Sequence, residues 1–165
     1  MNLRGREPIL TFCILHYKRP WCLKECVGSI MKHTTVPFRI MILQQGPMDK
    51  ETERYLSDLQ KKEEVNVIYS EVNLGCGGGR RVLVQRAETP IIMTLDDDIY
   101  VTKGWIGPVL KIFSEHHGDA VGIPQFTRDG KLLSLGGDIL KINRKSKIIK
   151  RIPLPQLSLI HISEP

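Results

Sequence analysis

The chain has 165 residues, 41% of them hydrophobic and 25% charged, with a formal net charge of +6. Those values fit one globular domain, or part of one, with enough chain to bury a core. They exclude a membrane-crossing helix, since no apolar run approaches ~18 residues, and Met1 to Pro8 has no secretory apolar region.

The charge is local. Lys141, Arg144, Lys145, Lys147, Lys150 and Arg151 share one segment without an acid, and the remainder is formally neutral. A nucleic-acid binder spreads its basic residues over a docking face, so no nucleic-acid partner is expected. The segment reads as a solvated basic hairpin, with contact to an anionic membrane surface or acidic acceptor as the alternative. The four cysteines form no CxxC pair and no zinc spacing. Cys22 and Cys26, four apart on an expected helix, read as buried thiols of a reducing cytosol.

In chain order, Ile9 to Leu15 is a nearly continuous apolar run, the mark of a central parallel strand covered on both faces. It breaks at His16-Tyr17-Lys18-Arg19, and Pro20 suits the first turn of a helix to about Lys32. Phe38 to Leu43 is a second buried strand, closed by the turn Gln44-Gln45-Gly46-Pro47. Asp49 is an N-cap for a helix to about Lys62, and Val65 to Tyr69 is a third strand. The alternation predicts an α/β fold with a mostly parallel, Rossmann-like sheet flanked by helices.

Next come four glycines in five positions, Gly75 to Gly79, and then Arg80 and Arg81. Glycines let a backbone approach a ligand closely, and arginines neutralise phosphate. A permissive turn before a helix over Gly79 to Ala87 is the plainer reading. No G-K-[ST] follows, which excludes a P-loop. The fourth strand, Pro90 to Leu95, ends in Asp96-Asp97-Asp98. A buried strand cannot hold three unpaired acids in its interior. They belong at the carboxyl edge of the sheet, where such folds bind ligands. Asp96 and Asp98 there suit a divalent metal with a nucleotide diphosphate; a polar turn or helix cap is the alternative. Thr102 is expected to cap a helix through Phe113, ended by His116-His117-Gly118. Ala120 to Ile123 reads as a short strand, Phe126 to Ile139 as a hairpin turning at Arg128-Asp129-Gly130-Lys131, and Ile148 to Ile152 as a further strand.

Taken together, Leu15-His16-Tyr17-Lys18-Arg19-Pro20, Gln45-Gly46-Pro47-Met48-Asp49, Asn73-Leu74-Gly75 with Arg80, Asp96-Asp97-Asp98, Gly122-Ile123-Pro124 and Asp129 to Gly137 form an ordered series. From about Leu10 to Ile142 the series resembles the family 2 glycosyltransferases, which have the GT-A fold. The resemblance implies transfer of a sugar from a nucleotide-diphosphate sugar. Asp98 would coordinate Mg²⁺ or Mn²⁺, and Asp96 would reach the ribose, or the metal through water. Asp97, Tyr17, Arg19, Asn73 and Gly75 would line the donor site, and Arg80 would add positive charge to the leaving group.

Two departures stand out. Gln44 takes the place of the family's base-contacting acid, with UDP-sugar still the favoured donor. The family's Glu-Asp element, which carries the general base, has no counterpart after Asp98, so no catalytic residue is assigned. Residues 1–155 are therefore expected to be the nucleotide-sugar-binding part of a truncated domain. Residues 156–165 are similar to a sequencing-adapter read-through and read as a foreign tail. The expected setting is cytoplasmic, with contact at the inner membrane face as an option. The acceptor is left open among glycan, lipid-linked and protein classes. The alternatives are a non-catalytic nucleotide-binding module and a phosphotransferase using the same acids; the latter's Asp-Gly-Thr is absent, with Ile99-Tyr100-Val101 in its place.

Overall fold

The computed structural model describes residues 7–116, 120–134 and 160–162. Its centre is a four-stranded parallel sheet with β1 (Leu10–His16), β2 (Phe38–Gln45), β3 (Val65–Ser70) and β4 (Ile91–Asp96) in the order β3-β2-β1-β4. Every residue of β1 is buried, which explains its unbroken apolar run. The helices α1 (Pro20–His33), α2 (Lys50–Leu59) and α3 (Gly75–Val84) connect these strands.

Alternation along the strands divides the core into two faces. Leu10, Phe12 and Ile14 of β1 and Ile40 and Ile42 of β2 pack with Leu23, Val27 and Ile30 of α1 and Leu56 of α2. Cys13, Leu15, Met41 and Leu43 pack with Leu83 of α3 on the other face. Pro20 opens α1, where its missing N–H is not needed. Asp49 caps α2, its Oδ1 accepting the Thr52 N–H at 2.7 Å.

The glycine cluster differs from expectation. It is not a loop before a helix but the first turns of α3, which starts four residues earlier than Gly79. Two of its glycines have separate causes. Gly75 has φ +67°, the left-handed region that side chains avoid. A Cβ at Gly79 would sit 2.6 Å from Leu15 Cδ2 and 3.2 Å from Leu43 Cδ2, so the bare backbone lets α3 lie close on β1 and β2.

After β4 come β5 (Ile99–Val101), α4 (Ile106–His116), β6 (Gln125–Thr127) and β7 (Leu132–Ser134). A second sheet has the order β5-β8-β6-β7, where β8 (Ile160–Ile162) consists of three residues from the expected tail. The hairpin β6-β7 turns where expected, with the Thr127 N–H bonded to the Lys131 carbonyl at 2.8 Å. Ala120 to Ile123 is not a strand, although Ile123 packs against the main core. The Thr102 carbonyl accepts the Trp105 N–H, and α4 begins at Ile106. The basic segment, Gly136-Gly137 and the strand expected at Ile148 to Ile152 lie outside the described residues.

Candidate functional site

The parallel sheet gathers four strand ends on one edge. In register, His16 lies beside Gln44, and Leu15 lies beside Asp96. Three sequence segments therefore converge there: His16 to Arg19 after β1, Gln44 to Gly46 at the end of β2, and Asp96 to Asp98 at the end of β4. Gly75 to Arg80 joins them because α3 packs on β1 and β2.

The three acids have three different environments. Asp96 is half-exposed, and its Oδ1 accepts the Arg80 Nη2–H at 2.7 Å. Asp97 is buried, with 3% of its side chain accessible. Its Oδ2 lies 2.7 Å from His16 Nδ1 and its Oδ1 2.6 Å from Arg19 Nη2. The Tyr17 N–H adds a longer bond of 3.4 Å to Oδ2. Asp98 is about a quarter exposed, and its Oδ2 accepts from Arg19 Nη1 at 2.9 Å. Arg19 thus spans two adjacent carboxylates with the two arms of one planar fork. Burial alone lowers the Arg19 pKa, but Asp97 and Asp98 together outweigh that and hold it above its ordinary value.

The loop after β1 wraps around Asp97. Lys18 has φ +63°, the one positive value among non-glycine described residues, and a conformation that costs a side chain about 1–2 kcal/mol. Its Nζ lies 4.9 Å from the centre of the Tyr17 ring. That ring borders the Gly46 turn, where a Cβ would be 3.4 Å from Tyr17 Cε2.

Gln44 is buried rather than open on the edge. Its Nε2 donates to the carbonyls of Gln45 and Gly46 at 3.2 Å each, and its Oε1 has no partner. Asn73 is exposed and its Oδ1 accepts the Gly75 N–H at 2.8 Å, so it shapes the entry to α3. Arg80 Nε is also buried without a partner, leaving that side chain part-satisfied beside Asp96.

Sequence reasoning assigned no role to two residues here. His16 is fully buried and completes the contacts of Asp97. Gln45, treated only as part of a turn, accepts the Leu74 N–H on Oε1 at 3.0 Å and so ties the start of α3 to β2. Their signal was the alternation of faces: His16 continues Ile14, and Gln45 continues Leu43. Asp129 is an exposed turn residue next to Thr127 and Lys131, as expected.

Among the described residues, no group of three or more His, Cys, Asp or Glu side chains is arranged to hold a metal ion. Asp96 and Asp98 nevertheless offer hard oxygen donors at a strand end. Such a pair fits Mg²⁺ or a similar ion whose other ligands are water and substrate phosphate. An apolar hollow of about 670 Å³ along β4, bordered by Ile92, Phe113 and Val121, contains no acid and is separate from this cluster. Among the described residues no helix is long and apolar enough to cross a membrane.

The chain is 25% identical over 120 residues to the teichoic acid poly(glycerol phosphate) polymerase of Staphylococcus epidermidis, covering 72% of this chain and 16% of that protein. The crystal structure of S. aureus TarS 1–349 superposes with a TM-score of 0.58 at 21% identity, covering 72% of this chain and 34% of the TarS chain. TarS 1–349 in complex with UDP-GlcNAc gives 0.59 over 33% of its chain. The chain thus spans about a third of that structure and about a sixth of the polymerase. The mostly parallel sheet flanked by helices is the GT-A-like fold of these neighbours. The family model for glycosyl transferase family 2 matches residues 11–159. On that match, and with the order of its motifs along one sheet edge, the chain belongs to glycosyl transferase family 2.

Proposed function

We propose that this chain binds the donor in a metal-dependent, inverting transfer of sugar from a UDP-linked donor to an acceptor hydroxyl. The observation that carries the reading is the pairing of part-exposed acids with arginines on the carboxyl edge: Asp96 with Arg80, and Asp98 with Arg19. A diphosphate needs positive charge, and the acids need a cation to tolerate it. Asp98, with Asp96, would hold Mg²⁺ or Mn²⁺, which supplies charge neutralisation for a departing nucleoside diphosphate.

The residues then divide the work. Arg80, held by Asp96 on one nitrogen and with a buried Nε to satisfy, turns toward diphosphate oxygen. Tyr17 and the Gly46 turn form one wall of the donor site, and Asn73 and Gly75 set the backbone at the start of α3. Gln44 Oε1, an orphaned acceptor, suits the ring N–H of uracil. In the transfer, an acceptor oxygen forms a bond to the anomeric carbon as the bond to the diphosphate breaks. The electron pair leaves with the diphosphate, and the acceptor proton passes to a base that is not assigned among these residues.

UDP and UDP-GlcNAc appear in the TarS complexes, which favours a UDP-linked donor here. A cytoplasmic setting, with peripheral contact at the membrane face, suits the reduced thiols of Cys13, Cys22, Cys26 and Cys76. Calorimetric titration of UDP in Mn²⁺ tests the reading. Binding should be strong in the wild type and at least about tenfold weaker in Asp98→Ala. Equal affinity in the two proteins would overturn the site assignment.

A further inference from the structure

Among the described groups, His16 is a buried titratable side chain at the site that the donor reading does not use. It sits at the end of the central strand with no exposed surface. Its Nδ1 is 2.7 Å from Asp97 Oδ2, while its Nε2 is buried with no partner. A half-satisfied imidazole is a poor device for stability, since an apolar side chain of similar size leaves no polar atom orphaned. What this geometry secures is direction. With Nδ1 carrying the proton, His16 donates to one oxygen of Asp97 and fixes the plane of that carboxylate.

The direction is passed on. The second oxygen of Asp97 lies 2.6 Å from Arg19 Nη2, and Arg19 Nη1 lies 2.9 Å from Asp98 Oδ2. A guanidinium is rigid and planar, so fixing one arm fixes the other. Arg19 is over a third exposed and has a long stem; without Asp97 its fork is held at the Asp98 end alone. The strained Lys18 backbone holds the loop in the path that allows this contact.

We propose that His16 is a positioning residue that acts through Asp97 and Arg19 to orient the Asp98 carboxylate for a divalent cation. Asp97 is accordingly a positioning residue rather than a donor contact. The inference rests on the donor-site reading above, which assigns the cation to Asp98. Residues that orient metal ligands without touching the ion commonly change metal affinity by about 10–100-fold when replaced.

The test uses the 165-residue chain and UDP titrations in Mn²⁺ and in EDTA, with circular dichroism to verify folding. The quantity read is the factor by which Mn²⁺ strengthens UDP binding. His16→Leu should reduce that factor about tenfold and leave the EDTA affinity within about twofold. His16→Asn, which places an N–H near the position of Nδ1, should restore most of the factor. Asp97→Asn keeps the shape of the carboxylate but weakens its hold on Arg19. It should lose the factor as His16→Leu does, and so provides the test if His16→Leu fails to fold. An unchanged factor in Asp97→Asn, an equal loss with and without metal, or failure of His16→Asn to rescue a folded His16→Leu would overturn the proposal. A wild-type chain that binds no UDP overturns the donor-site reading and this inference with it. Wild-type binding with unaffected variants overturns the inference alone.

Discussion

Asp96 and Asp97 are neighbours in sequence, and replacing each with alanine should have very different consequences for stability. The Asp97 side chain is 3% accessible and meets His16 at 2.7 Å and Arg19 at 2.6 Å. Asp97→Ala leaves a fully buried imidazole nitrogen without its acceptor and removes one partner of Arg19. Removing one member of a buried pair costs ~3–5 kcal/mol. Arg19 keeps Asp98 and is over a third exposed, which places the expected loss near the lower end, about 3 kcal/mol. Asp96 is 46% accessible and its partner Arg80 36%, so Asp96→Ala should cost no more than ~1 kcal/mol. Urea unfolding can be followed by the fluorescence of Trp105, which is 1% exposed. With a slope of ~2 kcal/mol per molar urea, the midpoint should fall by roughly 1.5 M for Asp97→Ala and by at most ~0.5 M for Asp96→Ala. Equal shifts, or a larger shift for Asp96→Ala, would refute the division of the triplet into one buried and two accessible acids.

Other perturbations probe the supports of the site. Gly79→Ala places a Cβ 2.6 Å from Leu15 Cδ2; overpacking of ~1–3 kcal/mol against a helix-propensity gain of ~1 kcal/mol predicts a net loss near 1 kcal/mol. That variant should also weaken UDP binding, because Arg80 moves with α3; unchanged stability and affinity would contradict the close contact. Gln44→Leu should narrow the preference for UDP over CDP about tenfold by removing the acceptor for the uracil N–H, as read by competition binding. An unchanged preference would remove Gln44 from base recognition. Burial pushes the Cys13 thiol up to about 11 from 9.0, so between those values the unfolded chain loses a proton that the folded chain keeps. This contribution is fully present below pH 9 and is lost as pH rises toward 11. Unfolding midpoints should therefore fall over that range, less steeply in Cys13→Ala; equal slopes would contradict the assignment.

Much of the parallel sheet was legible because burial on both faces leaves unbroken apolar runs, as in β1 and β2. Pro20 and Asp49 marked helix starts because each satisfies a specific backbone need at a first turn. The glycine cluster misled because glycine has low helix propensity. Its place in α3 is imposed by contact: Gly79 fits against Leu15 and Leu43, a relation between distant segments that composition does not reveal. Ala120 to Ile123 has the apolar character of a strand, yet burial against the core does not require pairing. In the candidate site, the position of the acids followed from the cost of burying charge. Their separate partners did not, because His16, Arg19 and Arg80 reach them only through the strand order. Period-two alternation foreshadowed the split by placing Asp96 opposite in direction to Leu95, on the face covered by α3.

In the proposed function, Asp98 and a divalent cation together bind the diphosphate of a nucleotide-sugar donor. Crystals of the chain grown with UDP and Mn²⁺ would locate the cation through the anomalous signal of manganese. A manganese peak is expected in contact with an Asp98 carboxylate oxygen and with the UDP diphosphate, at the carboxyl edge of β4 beside Arg80. A bound UDP with manganese elsewhere, or with no manganese at Asp98, would contradict it.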